Sequence, residues 1–176
     1  KAWRVWKWWK RICQKYDLEN FHIIGHSMGG LVAKHYIQNS GGAERVRSLI
    51  TLGTPHHGTP TALLGVALMG AGLLSRTPFQ MLPSSSFIKK LNTENFPADI
   101  PLTSIFSRQD FVCPWWASTL RSTSQRSQLE NVQLKGIGHS ELTSHPLVYK
   151  IILNKLKQSQ DHSLSRQHRK ESLISK

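Results

Sequence analysis

Between Lys1 and Tyr16 apolar side chains recur at Val5, Trp9, Ile12 and Tyr16, a helical spacing, while Lys7, Arg11 and Lys15 fall four apart on another face. The pattern predicts a helix over Ala2–Tyr16. A short apolar run at Phe21–Gly25 then suits a strand buried on both faces. Leu31–Gln38 returns to helical spacing and meets Gly41-Gly42, residues fitted to a C-cap. Val46–Leu52 reads as a second strand, closed by GTPHHGTP. The stretch ALLGVALMGAGLL (Ala62–Leu74) is helical in pattern but loosened by Gly65, Gly70 and Gly72, each costing about 1 kcal/mol against alanine. LPSSSFIKKLN (Leu82–Asn92) predicts a short helix capped by serine. Leu102–Phe106 reads as a third strand, and Asn131–Lys135, alternating in polarity, as a fourth nearer an edge. Pro146 opens a last helix carried by Val148, Ile151, Ile152 and Leu156. From about Lys157 the chain is polar and charged, and residues 158–176 are expected to be a disordered basic tail. Strands alternating with helices predict an α/β domain, a parallel sheet covered by helices, over residues 1–157.

Charge alters this picture only at the ends. Of the net +13, Lys1–Lys15 supplies six basic residues and no acid, and Lys155–Lys176 supplies six basic and two acidic residues. The 11 basic and eight acidic residues between them leave only +3. The basic character therefore describes the termini, and no nucleic-acid partner is expected. The first helix, with Trp6 and Trp9 among its lysines, fits two placements. It packs on the sheet, the commoner arrangement, or it lies on an anionic membrane surface. The longest apolar stretch has 13 residues, short of the about 20 that span a bilayer. Cys13 and Cys113 make no disulfide framework and read as free thiols. No CxxC or HExxH pattern occurs and the nine histidines show no ligand spacing, so neither a metal nor an organic cofactor is expected. No signal-peptide pattern precedes the first helix. Compartment and oligomeric state stay open.

The chemistry concentrates at Gly25-His26-Ser27-Met28-Gly29, a GxSxG between a predicted strand and a predicted helix. A sharp strand-to-helix turn brings the two elements so close that flanking positions must lack bulk, which Gly25, Gly29 and Gly30 satisfy. The turn lifts the Ser27 hydroxyl clear of the sheet, and the helix N-terminus favours developing negative charge. The backbone N–H of Met28, next after the serine, is one oxyanion donor. A serine needs a base, and the base an orienting acid, following in the order Ser, Asp or Glu, His. Asp110 ends LTSIFSRQD and His139 sits in GIGHS, both at carboxyl ends of predicted strands, where such sheets build their sites. Asp17 and Glu19 precede the serine. Asp99 precedes its strand, Glu130 begins one, and Glu141 follows the histidine. Asp110 is therefore the expected acid. His26, His56 and His57 are candidate substrate-binding residues; His26 more readily shapes the turn, and His56 and His57 either border the substrate site or form a structural turn.

At these residues the chain resembles the α/β-hydrolases, of the bacterial triacylglycerol lipase and esterase type. GHSMGGL is similar to that group's nucleophile turn, LITLGTPHHGT to its next strand and turn, IFSRQDFVCPW to its acid loop, and GIGHSELTSHPLV to its histidine loop and final helix. The likeness runs from about Tyr16 to Lys157. It implies Ser27 as nucleophile, Asp110 as acid and His139 as base, acting on acyl ester or lipid substrates. It also implies a helical lid insertion over about residues 60–97. Members of the family begin with earlier strands, one ending in a His-Gly turn that supplies a second oxyanion donor. That part is expected to be missing here, so the fold reads as N-terminally truncated, with the second donor not identified in this chain.

Overall fold

The computed structural model describes residues 11–12, 15–16, 18–61, 80–121 and 128–174, with side chains as far as residue 160. The predicted first helix falls largely outside these residues, as do Cys13 and residues 62–79 of the predicted lid. Arg11, Ile12 and Lys15 are helical.

Among the described residues one sheet forms, of strands β1 (Phe21–His26), β2 (Val46–Leu52), β3 (Leu102–Ser107) and β4 (Leu129–Leu134), ordered β1-β2-β3-β4. All three pairings are parallel, as strands separated by crossover segments require. Helix α1 (Met28–Asn39) links β1 to β2, and α2 (Ser86–Thr93) and the short α3 (Trp115–Ser118) flank β3. Helix α4 (Pro146–Ile174) closes the chain.

Each face of the sheet builds its own core. Leu49 and Leu102 pack with Ile23, Ala33, Ile37 and Ile100 on the α1 side. Ile50, Leu52 and Ile105 pack with Leu134, Leu142 and Val148 on the α4 side. Strand β2 is thus buried on both faces, which is why VRSLITL shows so little polar alternation. Strand β1 is less covered than its apolar run predicts, for Ile24 is 47 % exposed. Helix α1 covers the face of Ile23, while α4 packs over β2 instead.

The serine cap of α2 forms as predicted, with Ser85 Oγ accepting from Ile88 N–H at 3.2 Å. Strand β4 begins two residues before the predicted position because Leu129 already pairs with Leu102. The last helix does not stop near Lys157. It runs to Ile174, since no glycine or proline follows Pro146 and its lysines, glutamines and leucines favour helix. Thr59 N–H donates to Met81 O at 2.9 Å, so the two ends of residues 60–80 meet. Beyond that closure Ile88 and Leu91 seat α2 on Leu31 of α1.

Lys34 illustrates how tightly α1 is packed. It is buried, its Nζ donating to Asn92 Oδ1 at 3.1 Å. Burial pushes its amine from 10.5 down to about 8. The unfolded chain therefore holds that proton more tightly, and the charged form costs folding on the order of 3 kcal/mol at pH 7. Lys34→Met is expected to raise Tm at pH 7, with the gain shrinking toward pH 10.5. Melting curves at pH 7 and pH 10 check this, and a lower Tm for the methionine chain at pH 7 would contradict it.

Candidate active site

The carboxyl ends of β1, β2 and β3 form a staircase. Ser27 N–H donates to Leu52 O at 2.8 Å, and Gly53 N–H donates to Ile105 O at 2.9 Å. Each bond extends the ladder one residue past a strand, which sets the turns after β1, β2 and β3 side by side.

Ser27 stands where β1 becomes α1, with φ 53° and ψ −127°. Among the described residues it is the one non-glycine residue with positive φ. Such a conformation costs about 1–3 kcal/mol and persists only where its surroundings enforce it. Thr54 does so here. Buried behind the turn, it donates from Oγ1 to Ser27 O at 2.9 Å. Ser27 occupies the N-cap position yet its side chain makes no capping bond, so the hydroxyl stays uncommitted. Met28 is the first residue of α1, so its N–H lacks a helical acceptor.

Tight packing at this turn falls on Gly25 and Gly30 rather than Gly29, correcting the expectation. A Cβ on Gly25 would lie 2.7 Å from Gly30 Cα, and one on Gly30 would collide with the Thr54 side chain. A Cβ on Gly29 meets nothing within 4 Å. Helix α1 leaves the turn so that its third residue, not its second, faces the sheet. Gly30→Ala is expected to destabilise the chain by about 1–3 kcal/mol. Gly29→Ala is expected to be neutral or to stabilise by up to about 1 kcal/mol. Thermal melts of the two variants check the contrast, and equal losses would overturn it.

The structure brings Asp110 and His139 together. His139 Nδ1 lies 2.7 Å from Asp110 Oδ2. The other carboxylate oxygen accepts from Val112 N–H at 3.0 Å and Cys113 N–H at 2.7 Å. Three hydrogen bonds thus satisfy a side chain that is fully buried. Since a carboxylate only accepts, Nδ1 carries the hydrogen and Nε2 is left as the acceptor. The His139 side chain keeps 12 % of its surface exposed.

Gly53 makes room for the pair. It sits at φ 51°, and a Cβ there would lie 2.8 Å from Asp110 Oδ2 and 3.1 Å from His139 Nδ1. His26 ties the serine turn to the histidine loop. Its Nε2–H donates to His139 O at 3.0 Å, and the two rings stand 4.6 Å apart. Burial and the nearby His139 lower the His26 pKa, with the bond to that carbonyl and the Asp110 charge opposing. Gln109 bridges the remaining gap, accepting from Gly136 N–H at 2.7 Å.

His56 and His57 point elsewhere. The His56 ring is buried against Thr51 Oγ1 at 3.0 Å, and His57 Nε2 donates to Thr119 O at 2.9 Å. Both line a cavity of about 150 Å³ with Lys34 and Arg121. Among the described residues its lining includes none of Ser27, Asp110 and His139. Burial, with Lys34 and His57 nearby, holds His56 well below 6.5, so its contribution to stability is complete above pH 6.5 and declines on acidification. Cys113 is a free buried thiol, pushed up to about 12 chiefly by burial, which makes it a poor nucleophile. Among the described residues no three His, Cys, Asp or Glu side chains gather as a metal site. None of the described helices is long and apolar enough to cross a membrane.

Thr54, Gly53 and Gln109 were not singled out from the sequence. Thr54 and Gly53 stand in LGTP directly after β2, a position that could have flagged them. Gln109 carried no signal, because its role exists only once β3 and β4 are paired.

The family model described as alpha/beta hydrolase fold matches residues 2–172. A GPI inositol-deacylase of Candida albicans (strain SC5314 / ATCC MYA-2876) is 31 % identical over 105 residues, 60 % of this chain and 20 % of that protein. The match thus spans about a fifth of the relative's length. Among solved structures, the mature form of Bacillus licheniformis lipase BlEst2 aligns at TM-score 0.68 and 16 % identity, covering 86 % of this chain and 71 % of that one. The monoacylglycerol lipase of Paleococcus ferrophilus aligns at TM-score 0.59 and 15 % identity, covering 92 % and 76 %. At such identities these structures share the fold.

Proposed function

The chain belongs to the alpha/beta hydrolase fold family, and on that premise we propose that it cleaves carboxylic esters through an acyl-enzyme on Ser27. The carrying observation is the His139–Asp110 hydrogen bond at 2.7 Å, on the same staircase of strand ends as a serine in a strained turn. His139 Nε2 takes the Ser27 proton as Oγ bonds to the ester carbonyl carbon. Asp110 holds the imidazole in that tautomer and stabilises the imidazolium. The Met28 N–H donates to the developing oxyanion. Collapse expels the alcohol, which receives the proton from His139. Water, deprotonated by His139, then releases the carboxylic acid and restores the serine. A second oxyanion donor is not assigned among the described residues, where β1 pairs with β2 alone.

Acyl esters of lipid type are the substrates we favour. The relative named as an inositol-deacylase removes acyl groups, and two of the fold's neighbours are named as lipases. Residues 60–97 are proposed to form the lid, in keeping with their apolar glycine-containing stretch and the closure of residue 59 on residue 81. Labelling with a fluorophosphonate, which reacts with activated serines, tests the reading. One label is expected on Ser27, with little reaction in the His139→Asn chain. Equal labelling of both chains, or a label on another serine, would overturn the assignment.

A further inference from the structure

Immediately after Asp110 the chain exposes side chains of a kind that cores bury. Phe111 is 85 % exposed, Val112 44 %, Trp115 42 % and Trp116 41 %. All four fall within six residues, between the end of β3 and the first turn of α3. The backbone presenting them is firmly held. Asp110 Oδ1 accepts from the N–H groups of Val112 and Cys113. The Cys113 thiol is buried 3.1 Å from Ser118 Oγ, and Ala117 N–H donates to Pro114 O at 2.9 Å. The exposure therefore belongs to the folded state and is no fraying. Four such side chains left in water within six residues mark a surface suited to an apolar occupant.

The charge around the patch indicates which occupant. The Arg108 guanidinium lies 5.4 Å from the centre of the Trp115 ring. From Ser107 to Trp116, the segment that carries the patch, the sequence holds one cation, Arg108, and one acid, the buried Asp110. Tryptophan and phenylalanine beside arginine is the chemistry that settles at the headgroup level of a bilayer, rings among the upper acyl chains and cations on anionic headgroups. The patch also shares the strand-end rim of Ser27, Asp110 and His139, where an acyl substrate must enter.

We propose that Phe111, Val112, Trp115 and Trp116 form a docking surface for an anionic lipid bilayer, which delivers membrane-held acyl esters to Ser27. The choice of lipid over protein as occupant rests on the acyl-ester reading above. This loop is distant in the sequence from the Trp-rich stretch that holds Trp6 and Trp9.

Vesicle co-sedimentation of the full chain tests the proposal, with phosphatidylcholine vesicles and with phosphatidylcholine–phosphatidylglycerol vesicles. Three variants are compared with the native sequence: Phe111→Ser with Trp116→Ser, Arg108→Glu, and Trp6→Ser with Trp9→Ser. The native chain is expected to prefer the anionic vesicles. The Phe111/Trp116 chain is expected to lose about tenfold or more in binding, with hydrolysis of a soluble short-chain ester unchanged. Arg108→Glu is expected to weaken binding to the anionic vesicles alone. Where the double variant melts early, Phe111→Ser alone replaces it, because so exposed a side chain cannot carry the fold. Binding that survives in the loop variants, or that depends only on Trp6 and Trp9, would overturn the proposal. So would a native chain that ignores vesicles but dimerises through these residues. Soluble-ester hydrolysis absent from every chain, with loop-dependent binding intact, would instead sink the esterase reading and leave the docking surface standing.

Discussion

Ser27→Ala is expected to lower kcat for a soluble chromogenic ester by about 10⁴–10⁶-fold, with KM changed by less than about threefold. The substitution removes one oxygen and nothing else the fold uses. The Ser27 side chain makes no capping bond, and the turn is held through its backbone, by Leu52 O and by Thr54 Oγ1. Alanine carries the same Cβ as serine, so the positive φ is no more strained after the change. The melting temperature should therefore stay within a few degrees while activity collapses, separating chemistry from folding. The small remaining rate would come from binding and from the Met28 N–H, which the substitution leaves in place. Native-like hydrolysis by the alanine chain would mean that another group attacks the ester.

Asp110→Asn is expected to cost about 10⁴-fold in kcat. Its logic lies in which atom carries hydrogen. The asparagine Oδ1 can still accept from Val112 and Cys113 N–H, so the loop keeps its shape. The amide nitrogen, however, now donates toward His139 Nδ1. The imidazole must accept there and carry its hydrogen on Nε2, where it can no longer take a proton from serine. Asp110→Ala is the less informative change. It leaves two loop N–H groups without their acceptor, at about 1–3 kcal/mol each, so loss of fold and loss of base function would be mixed. A drop of less than tenfold for the asparagine chain, with the melt preserved, would show that Asp110 does not orient the working base.

Much of the architecture was legible because its signals are local. The strand and helix around Ser27 announce themselves by an apolar run, a glycine-boxed serine and a return of helical spacing. The positions of β2 and β3 follow from apolar runs that the sheet buries on both faces. The signals failed where a residue's role depends on something distant. The motif GxSxG names Gly29, but the helix's direction of departure makes Gly30 the one pressed against Thr54. The run at Phe21–Gly25 predicts full burial, but β1 has a partner on only one side among the described residues, and Ile24 stays exposed. Helix α4 outruns its apolar face because helix propensity needs no core to continue through polar residues. For His56 and His57 spacing leaves two readings, a border of the substrate site or a structural turn. Thr51 and the carbonyl of Thr119 turn them inward, toward contacts invisible from spacing.

In the proposed reaction Ser27 carries the acyl group between two half-reactions. Mass spectrometry of the chain quenched in acid during turnover of an activated ester, then digested, measures this directly. One acyl group is expected on the peptide containing Ser27, appearing with the first release of alcohol and lost as turnover ends. Steady hydrolysis with that peptide unmodified, or with the acyl group on another residue, would contradict it.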